Sequence, residues 1–251
     1  MLLEEAAKTI AKAKHVIALT GAGISVESGI PDFRSAGGLW SKYDPMEYAY
    51  IGTFIKNPQK VWQVLGEMIG LLLEAKPNPA HLALADLEKT GKLKSIVTQN
   101  IDNLHQKAGS SHVIEYHGNG YRLVCPKCSN LYNVLDFADD IQGRGKDFPP
   151  RCKCNAILKP DVVFFGEAIP PHAHDQALQA ASMCDVMLII GTSALVAPVN
   201  YLPPLAKQKG AKLIEINVEK TVLTYEFSDY FIQGQAGLQV PALVEEVKKL
   251  I

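Results

Sequence analysis

The chain has 251 residues, of which 47% are hydrophobic and 20% charged, with 25 basic and 26 acidic side chains for a net charge of -1. That length can bury a large core, either as one big domain or as a main domain with a smaller companion. The near-neutral balance excludes the polycationic footprint of a nucleic-acid binder, and no stretch approaches the roughly 20 apolar residues of a membrane span.

Met1 to Lys14 sets Leu2, Leu3, Ala6 and Ile10 against Glu4, Glu5, Lys8, Lys12 and Lys14, which suits an amphipathic helix. Its apolar run is too short for a signal peptide and it lacks a basic leader, so a soluble cytoplasmic protein is expected. The apolar run His15 to Leu19 then opens into GAGISVESGIPDFR, Gly21 to Arg34. A strand opening into glycines and a helical stretch is how dinucleotide sites begin, because glycine lets the backbone approach a pyrophosphate. The fingerprint is incomplete: Val26 stands where the third glycine of G-x-G-x-x-G belongs. Pro31-Asp32-Phe33-Arg34 instead puts an aromatic face and a guanidinium just past the turn, although the pattern alone favours a solvated loop with one buried Phe.

Further strand-like runs are Ser95 to Thr98, Val113 to Tyr116, Asp161 to Phe165, Asp185 to Ile190, Ala211 to Ile216 and Tyr230 to Ile232. Several are nearly unbroken, as in parallel sheets covered on both faces. Helix-like segments lie between them: Pro58 to Glu74, Ala80 to Thr90 with Asn78 as cap and Gly91 as stop, His174 to Ala181, Val199 to Gln208 and Ala242 to Leu250. An α/β sheet is the natural architecture. The alternation breaks twice, over Asp32 to Lys92 and over Gly120 to Leu158, which read as two insertions building a smaller domain on the sheet.

The second insertion holds Cys125-x-x-Cys128 and Cys152-x-Cys154, separated by 23 residues and flanked by Pro126, Pro149 and Pro150. Two thiolate pairs on separate knuckles can close a tetrahedral zinc site with no open position, a structural site and not a catalytic one. Two disulfides, or four unrelated thiols, fit poorly in a reducing compartment. Cys184, just before an apolar strand, reads as a small buried hydrophobe.

Four strand ends carry polar side chains, where the ligand crevice of an open α/β sheet lies. Thr98-Gln99-Asn100-Ile101-Asp102 offers amide and carboxylate groups that match a carboxamide, with helix capping by Asn100 or Asp102 as the competing reading. His117-Gly118 ends the next strand and makes His117 the best general-base candidate, against an ordinary structural histidine. His81 and His105 read as structural, and His15, His112, His172 and His174 as surface or loop residues. Gly191-Thr192-Ser193 and Asn217-Val218-Glu219 suit ribose or phosphate, though either alone is more often a plain turn.

The combination resembles the sirtuins, NAD-dependent protein-lysine deacylases. The resembling residues are GAGIS (21–25), GIPDFR (29–34), TQNID (98–102) with Leu104-His105 and Ala108-Gly109, His117-Gly118, the cysteine quartet, Phe164-Phe165-Gly166-Glu167, Gly191-Thr192-Ser193 and Asn217, in the family's order and over nearly the whole chain. The resemblance implies a Rossmann-type large domain (1–31, 93–119 and 159–251) and a small domain made of a helical module (32–92) and a zinc module (120–158). NAD and an acyl-lysine peptide would meet in the cleft between the domains, the acyl oxygen attacking the nicotinamide ribose as nicotinamide leaves and the acyl group then migrating.

By that resemblance His117 is the base, Asn100 and Asp102 shape the nicotinamide pocket, Gln99 lies on the ribose side, and Ile101 belongs to the cofactor set. Phe33 shields the reacting sugar. Ala22 and Arg34 map to the phosphate and ribose region, and Gly21, Gly23, Ser25, Gly191, Thr192, Ser193, Asn217, Val218 and Ala236 complete the cofactor set. Val163, Phe165, Gly166 and Leu195 map to the acyl-lysine tunnel and the peptide groove, where a substrate backbone adds as a strand. One departure bears on the acyl group. Succinyl-preferring sirtuins carry Tyr-x-x-Arg on the first insertion's helix, where this chain has Leu65 and Met68. A charged acyl group would be desolvated there without a counter-charge, so acetyl or longer apolar acyl groups are expected. The partners implied are an acyl-lysine protein or peptide, with no nucleic acid and no membrane. Alternatives are ADP-ribose transfer to protein and a non-catalytic NAD-sensing or zinc-ribbon module; hydride transfer is disfavoured by the missing glycine and the zinc insertion.

Overall fold

The computed structural model describes residues 2–32, 42–143, 145 and 148–251. Strands β1 (Val16–Thr20), β2 (Leu93–Thr98), β3 (Val113–Glu115), β7 (Val186–Ile190), β8 (Lys212–Asn217) and β9 (Tyr230–Gln233) form a six-stranded parallel sheet in the order β3-β2-β1-β7-β8-β9. Between β3 and β7 the chain builds a second sheet from β4 (Gly118–Val124), β5 (Leu131–Asn133) and β6 (Lys159–Val162), antiparallel and ordered β5-β4-β6.

The unbroken apolar strands follow from burial on both faces. Val16, Ala18, Leu188 and Ile214 pack with helices Leu2–Lys12, Pro79–Lys89 and Ala236–Lys248, while Ile17, Leu19, Met187 and Leu213 pack with helices Pro171–Met183 and Leu202–Gln208. All five residues of β1 and of β7 are buried, so the period-2 alternation of a half-wet strand has nothing to select it.

A third core joins the two insertions. Val61, Trp62, Leu65 and Ile69 of helix Pro58–Glu74 pack with Leu123, Cys125, Val134, Cys152 and Leu158. Trp62 is fully buried and its indole N–H donates to the Leu158 carbonyl at 2.8 Å. Truncating such an anchor costs about 3–5 kcal/mol. Helix Pro58–Glu74 starts at Asn57, whose side chain accepts from Lys60 N–H, and helix Pro79–Lys89 starts at the expected cap Asn78, with Pro79 at its first position.

Two expectations are corrected. The run at Asp161 to Phe165 is no strand of the parallel sheet: β6 ends at Val162 and pairs antiparallel with β4, because an apolar run of this length states burial but not partner. The segment after Gly21 is not an α-helix but two short 3₁₀ turns, Ala22–Ile24 and Val26–Ser28, so no helix N-terminus stands at this turn. Among the described residues no helix is long and apolar enough to cross a membrane.

Candidate active site

The carboxyl ends of β1, β2, β7 and β8 open into one cavity of about 1390 Å³, larger than the roughly 300–1,000 Å³ of a drug-sized pocket. Gly21, Ala22 and Gly23 line it from β1, Gln99, Asn100 and Ile101 from β2, Gly191, Thr192 and Ser193 from β7, and Asn217 and Val218 from β8. Ala236, at the start of the last helix, and His117 complete the nucleotide side. Val163, Phe165, Gly166 and Leu195 line the same space. Ser25 and Asp102 instead line a small adjoining pocket with Ala22, Asn100 and Ile101. Phe33 and Arg34 lie outside the described residues.

The glycines act differently from the sequence expectation. A Cβ on Gly21 would lie 2.7 Å from Thr192 Cβ, one on Gly23 2.7 Å from Gly191 Cα, and one on Gly191, whose φ is +59°, 2.4 Å from the Ile24 nitrogen. The two loops therefore interlock backbone to backbone, with Gly23 N–H donating to the Gly191 carbonyl at 2.8 Å. The missing side chains make room for protein, and the ligand space lies beside this contact.

Asn100 bridges strands: its amide donates to the Gly21 carbonyl at 3.1 Å and to Ser25 Oγ at 3.0 Å. Ser25 Oγ donates to Asp102 Oδ2 at 2.7 Å, and Leu104 N–H donates to Asp102 Oδ1 at 2.9 Å. Asp102 thus holds both the Leu104 N–H and the pocket serine, while the N-cap of helix Leu104–Lys107 is Asn103. Burial pushes its carboxyl pKa up against these bonds. Behind them sit His81 and His105, both buried, with ring centroids 4.9 Å apart. Burial drops His81 to about 4, and burial with the neighbouring His81 holds His105 well below its usual value, so both are neutral.

His117 follows β3, and its Nδ1–H donates to the Gln99 carbonyl at 2.9 Å. A carbonyl can only accept, so this bond fixes the tautomer and leaves the lone pair on Nε2. Burial lowers the pKa of His117 against that hydrogen bond, keeping the ring neutral at pH 7 and fit to take a proton. His174 is corrected: it is no surface residue but lies half-buried on helix Pro171–Met183, lines the cavity, and its Nδ1 is 2.8 Å from the hydroxyl of fully buried Tyr116. Leu65 and Met68 line the cavity with Val64 from helix Pro58–Glu74. Val64, Glu27, Tyr48 and Tyr225 also line it, although no motif marks them; only the helical spacing of Val64 and Met68, four apart, signals a shared face.

Away from the cleft the sulfurs of Cys125, Cys128, Cys152 and Cys154 all lie within 4.8 Å of one another, the closest pairs at 3.5 Å. A tetrahedron with 2.3 Å metal–sulfur bonds has edges of about 3.8 Å, so the quartet fits zinc. Backbone N–H groups of Cys128 and Cys154 donate to the Cys125 and Cys152 sulfurs, as thiolates require. The Cys154 N–H and the Tyr132 hydroxyl bring Cys152 down to about 6. Cys184 is buried in the core, as expected.

A parallel sheet with a nucleotide-sized cleft at its carboxyl edge, flanked by a four-cysteine module, defines an α/β protein of the dinucleotide-binding kind. Residues 21–198 match the model of the Sir2 family, and the chain belongs to that family. An NAD-dependent protein deacylase from Pyrococcus furiosus is 46% identical over 250 residues, covering 99% of each chain. A Sir2 homologue solved as an NAD complex has a TM-score of 0.89 at 44% identity, over 98% of this chain and 94% of that one. Sir2Af2, solved bound to a myristoylated histone peptide, has a TM-score of 0.82 at 39% identity, over 99% and 97%.

Proposed function

We propose that this protein removes acetyl and longer apolar acyl groups from protein lysines at the expense of NAD, releasing nicotinamide and O-acyl-ADP-ribose. The observation that carries the reading is that a cleft holding a neutral His117 with its Nε2 lone pair and an apolar wall from Leu65 and Met68 adjoins the small Asn100-Ser25-Asp102 pocket. The family membership and the NAD complex of a relative support NAD as co-substrate.

The dinucleotide supplies an activated ribose carbon whose bond to nicotinamide breaks as the acyl oxygen attacks. Asn100 and Asp102 hold the departing carboxamide side through their polar groups, and Ile101 closes the small pocket. His117 takes the proton of a ribose hydroxyl, which then attacks the acyl carbon, and water releases the lysine amine. Gly21, Ala22, Gly23 and Gln99 hold the phosphate and inner ribose side. Gly191, Thr192, Ser193, Asn217, Val218 and Ala236 hold the adenosine end. Val163, Phe165, Gly166 and Leu195 receive the peptide backbone and the acyl-lysine stem.

Segments 32–92 and 120–158 make up the small domain in this reading, with one zinc held by the four cysteines as a structural ion. In this reading the protein acts in the cytoplasm, where thiols stay reduced and able to hold the ion. Val64, Leu65 and Met68 favour acetyl and longer apolar chains over succinyl, and Sir2Af2 bound to a myristoylated peptide supports the longer chains. Incubation with NAD and acetyl-, myristoyl- and succinyl-lysine peptides, read by mass spectrometry of peptide and nucleotide, tests the reading. Free lysine with O-acyl-ADP-ribose is expected, with succinyl peptide slowest; ADP-ribosylated protein with the acyl group retained refutes it.

A further inference from the structure

The cavity rim at Val163 to Gly166 belongs to neither sheet, since β6 stops at Val162. Its shape is held by one ion pair. Lys159, only 8% exposed on β6, donates from Nζ to the Val162 carbonyl at 2.6 Å and to Glu167 Oε2 at 2.9 Å, and lies 4.4 Å over the Phe164 ring. Glu167 Oε2 also accepts from Phe164 N–H at 2.8 Å, while Glu167 N–H donates to the Phe164 carbonyl at 3.0 Å. The pair thus closes the segment into a loop at both ends.

Around the loop, neighbours take up specific backbone groups. Val163 N–H donates to the His117 carbonyl at 2.9 Å. Phe165 N–H donates to the Ala49 carbonyl at 2.8 Å, and its carbonyl accepts from Ile51 N–H at 3.1 Å. Gly166 sits at φ +85° with space for no Cβ, which would lie 2.6 Å from the Tyr50 ring. The rim therefore links the residue carrying the base to the helical insertion. The Lys159–Glu167 pair sets its curvature.

We propose that Lys159 and Glu167 are positioning residues for the acyl-lysine substrate, holding the 163–166 rim in the shape to which a peptide backbone adds. The proposal rests on the deacylase reading above. Lys159 is the buried member and Glu167 is a quarter exposed, so removing the carboxylate is the damaging half, because it leaves the buried ammonium without its counter-charge. Glu167→Gln keeps an acceptor for Phe164 N–H and the same volume but strands the Lys159 ammonium. The rim should relax while the nucleotide side, built on β1, β7 and β8, stays as it is.

The test compares wild type, Glu167→Gln and Lys159→Arg in steady-state deacetylation, in NAD binding by calorimetry, and in direct binding of a fluorescent acetyl-lysine peptide. Glu167→Gln should raise the peptide KM and Kd about tenfold, equivalent to about 1.4 kcal/mol, with kcat and NAD affinity unchanged. Lys159→Arg, which keeps the charge, should stay near wild type. Unchanged peptide affinity in Glu167→Gln, or equal losses for NAD and peptide, would overturn the proposal. Should Glu167→Gln fail to fold, Lys159→Met/Glu167→Gln, with no stranded charge, decides on the same readouts: weakened peptide with normal NAD supports it, wild-type peptide affinity overturns it. Wild type that binds peptide but turns over no acyl-lysine sinks the deacylase reading, and the binding titration still judges the pair.

Discussion

Acid should unfold this protein through a buried histidine, and the structure sets the size of the effect. His81 is fully buried and titrates at about 4 folded, against 6.5 unfolded. Below pH 6.5 the unfolded chain binds a proton that the folded one refuses, so stability is full above 6.5 and drains away as pH falls towards 4. At pH 5 the loss from His81 alone is about 2 kcal/mol, since each pH unit crossed between the two values costs about 1.4 kcal/mol and most of the window lies behind. His105, with its pKa lowered in the same direction, adds to the slope, while Asp102, raised by burial, acts oppositely and gains stability as it takes up a proton. Urea unfolding of wild type and His81→Gln at pH 7 and pH 5 isolates the contribution, because acid effects common to both proteins cancel. Wild type should lose about 2 kcal/mol more than the variant between the two pH values. Equal losses would refute the claim that His81 is held neutral by burial.

In the proposed reaction the same neutrality lets His117 serve as the base at physiological pH. Deacetylation kcat should decline on the acid side, with the apparent pKa below 6.5. His117→Ala should bind NAD normally but lose about 10²- to 10⁴-fold in kcat, a result overturned by near-wild-type turnover. Gly191→Ala should cost about 1–3 kcal/mol by thermal melt and weaken NAD binding measured by calorimetry, since the new methyl meets the Ile24 nitrogen in a left-handed backbone. Chelator treatment, or Cys152→Ser, should disorder the module packed on Trp62 and lower the Tm, as read by metal analysis and circular dichroism together.

Much of this architecture was legible in the residues because burial writes itself into composition. β1 and β7 are buried along their full length, so apart from Thr20 at the end of β1 their sequences are apolar runs, and the cysteine spacing marked a tetrahedral site. The polar strand ends at Asn100, His117 and Asn217 were readable because a parallel sheet turns its carboxyl edge to the crevice. What escaped depends on partners. Nothing in Lys159 to Val162 says that it pairs with β4 and not with the main sheet, and nothing around His174 announces the Tyr116 hydroxyl. The glycines of the first turn read as room for a pyrophosphate, whereas the close approach in the structure is to Gly191, 170 positions after Gly21. Local pattern cannot name so distant a neighbour.

That distance also sets an order of assembly. β1 can complete its place in the sheet only when β7 arrives, Val16 meeting Val186, and the glycine interlock of the cleft forms at the end of those strands. During synthesis the four cysteines emerge before β7 does, so the metal module can be loaded while the cleft is still open on one side. Contacts this far apart in sequence close slowly. The cleft therefore closes late in synthesis, after β7 has docked on β1, and after β8 and the last helix have added Asn217 and Ala236 to its lining.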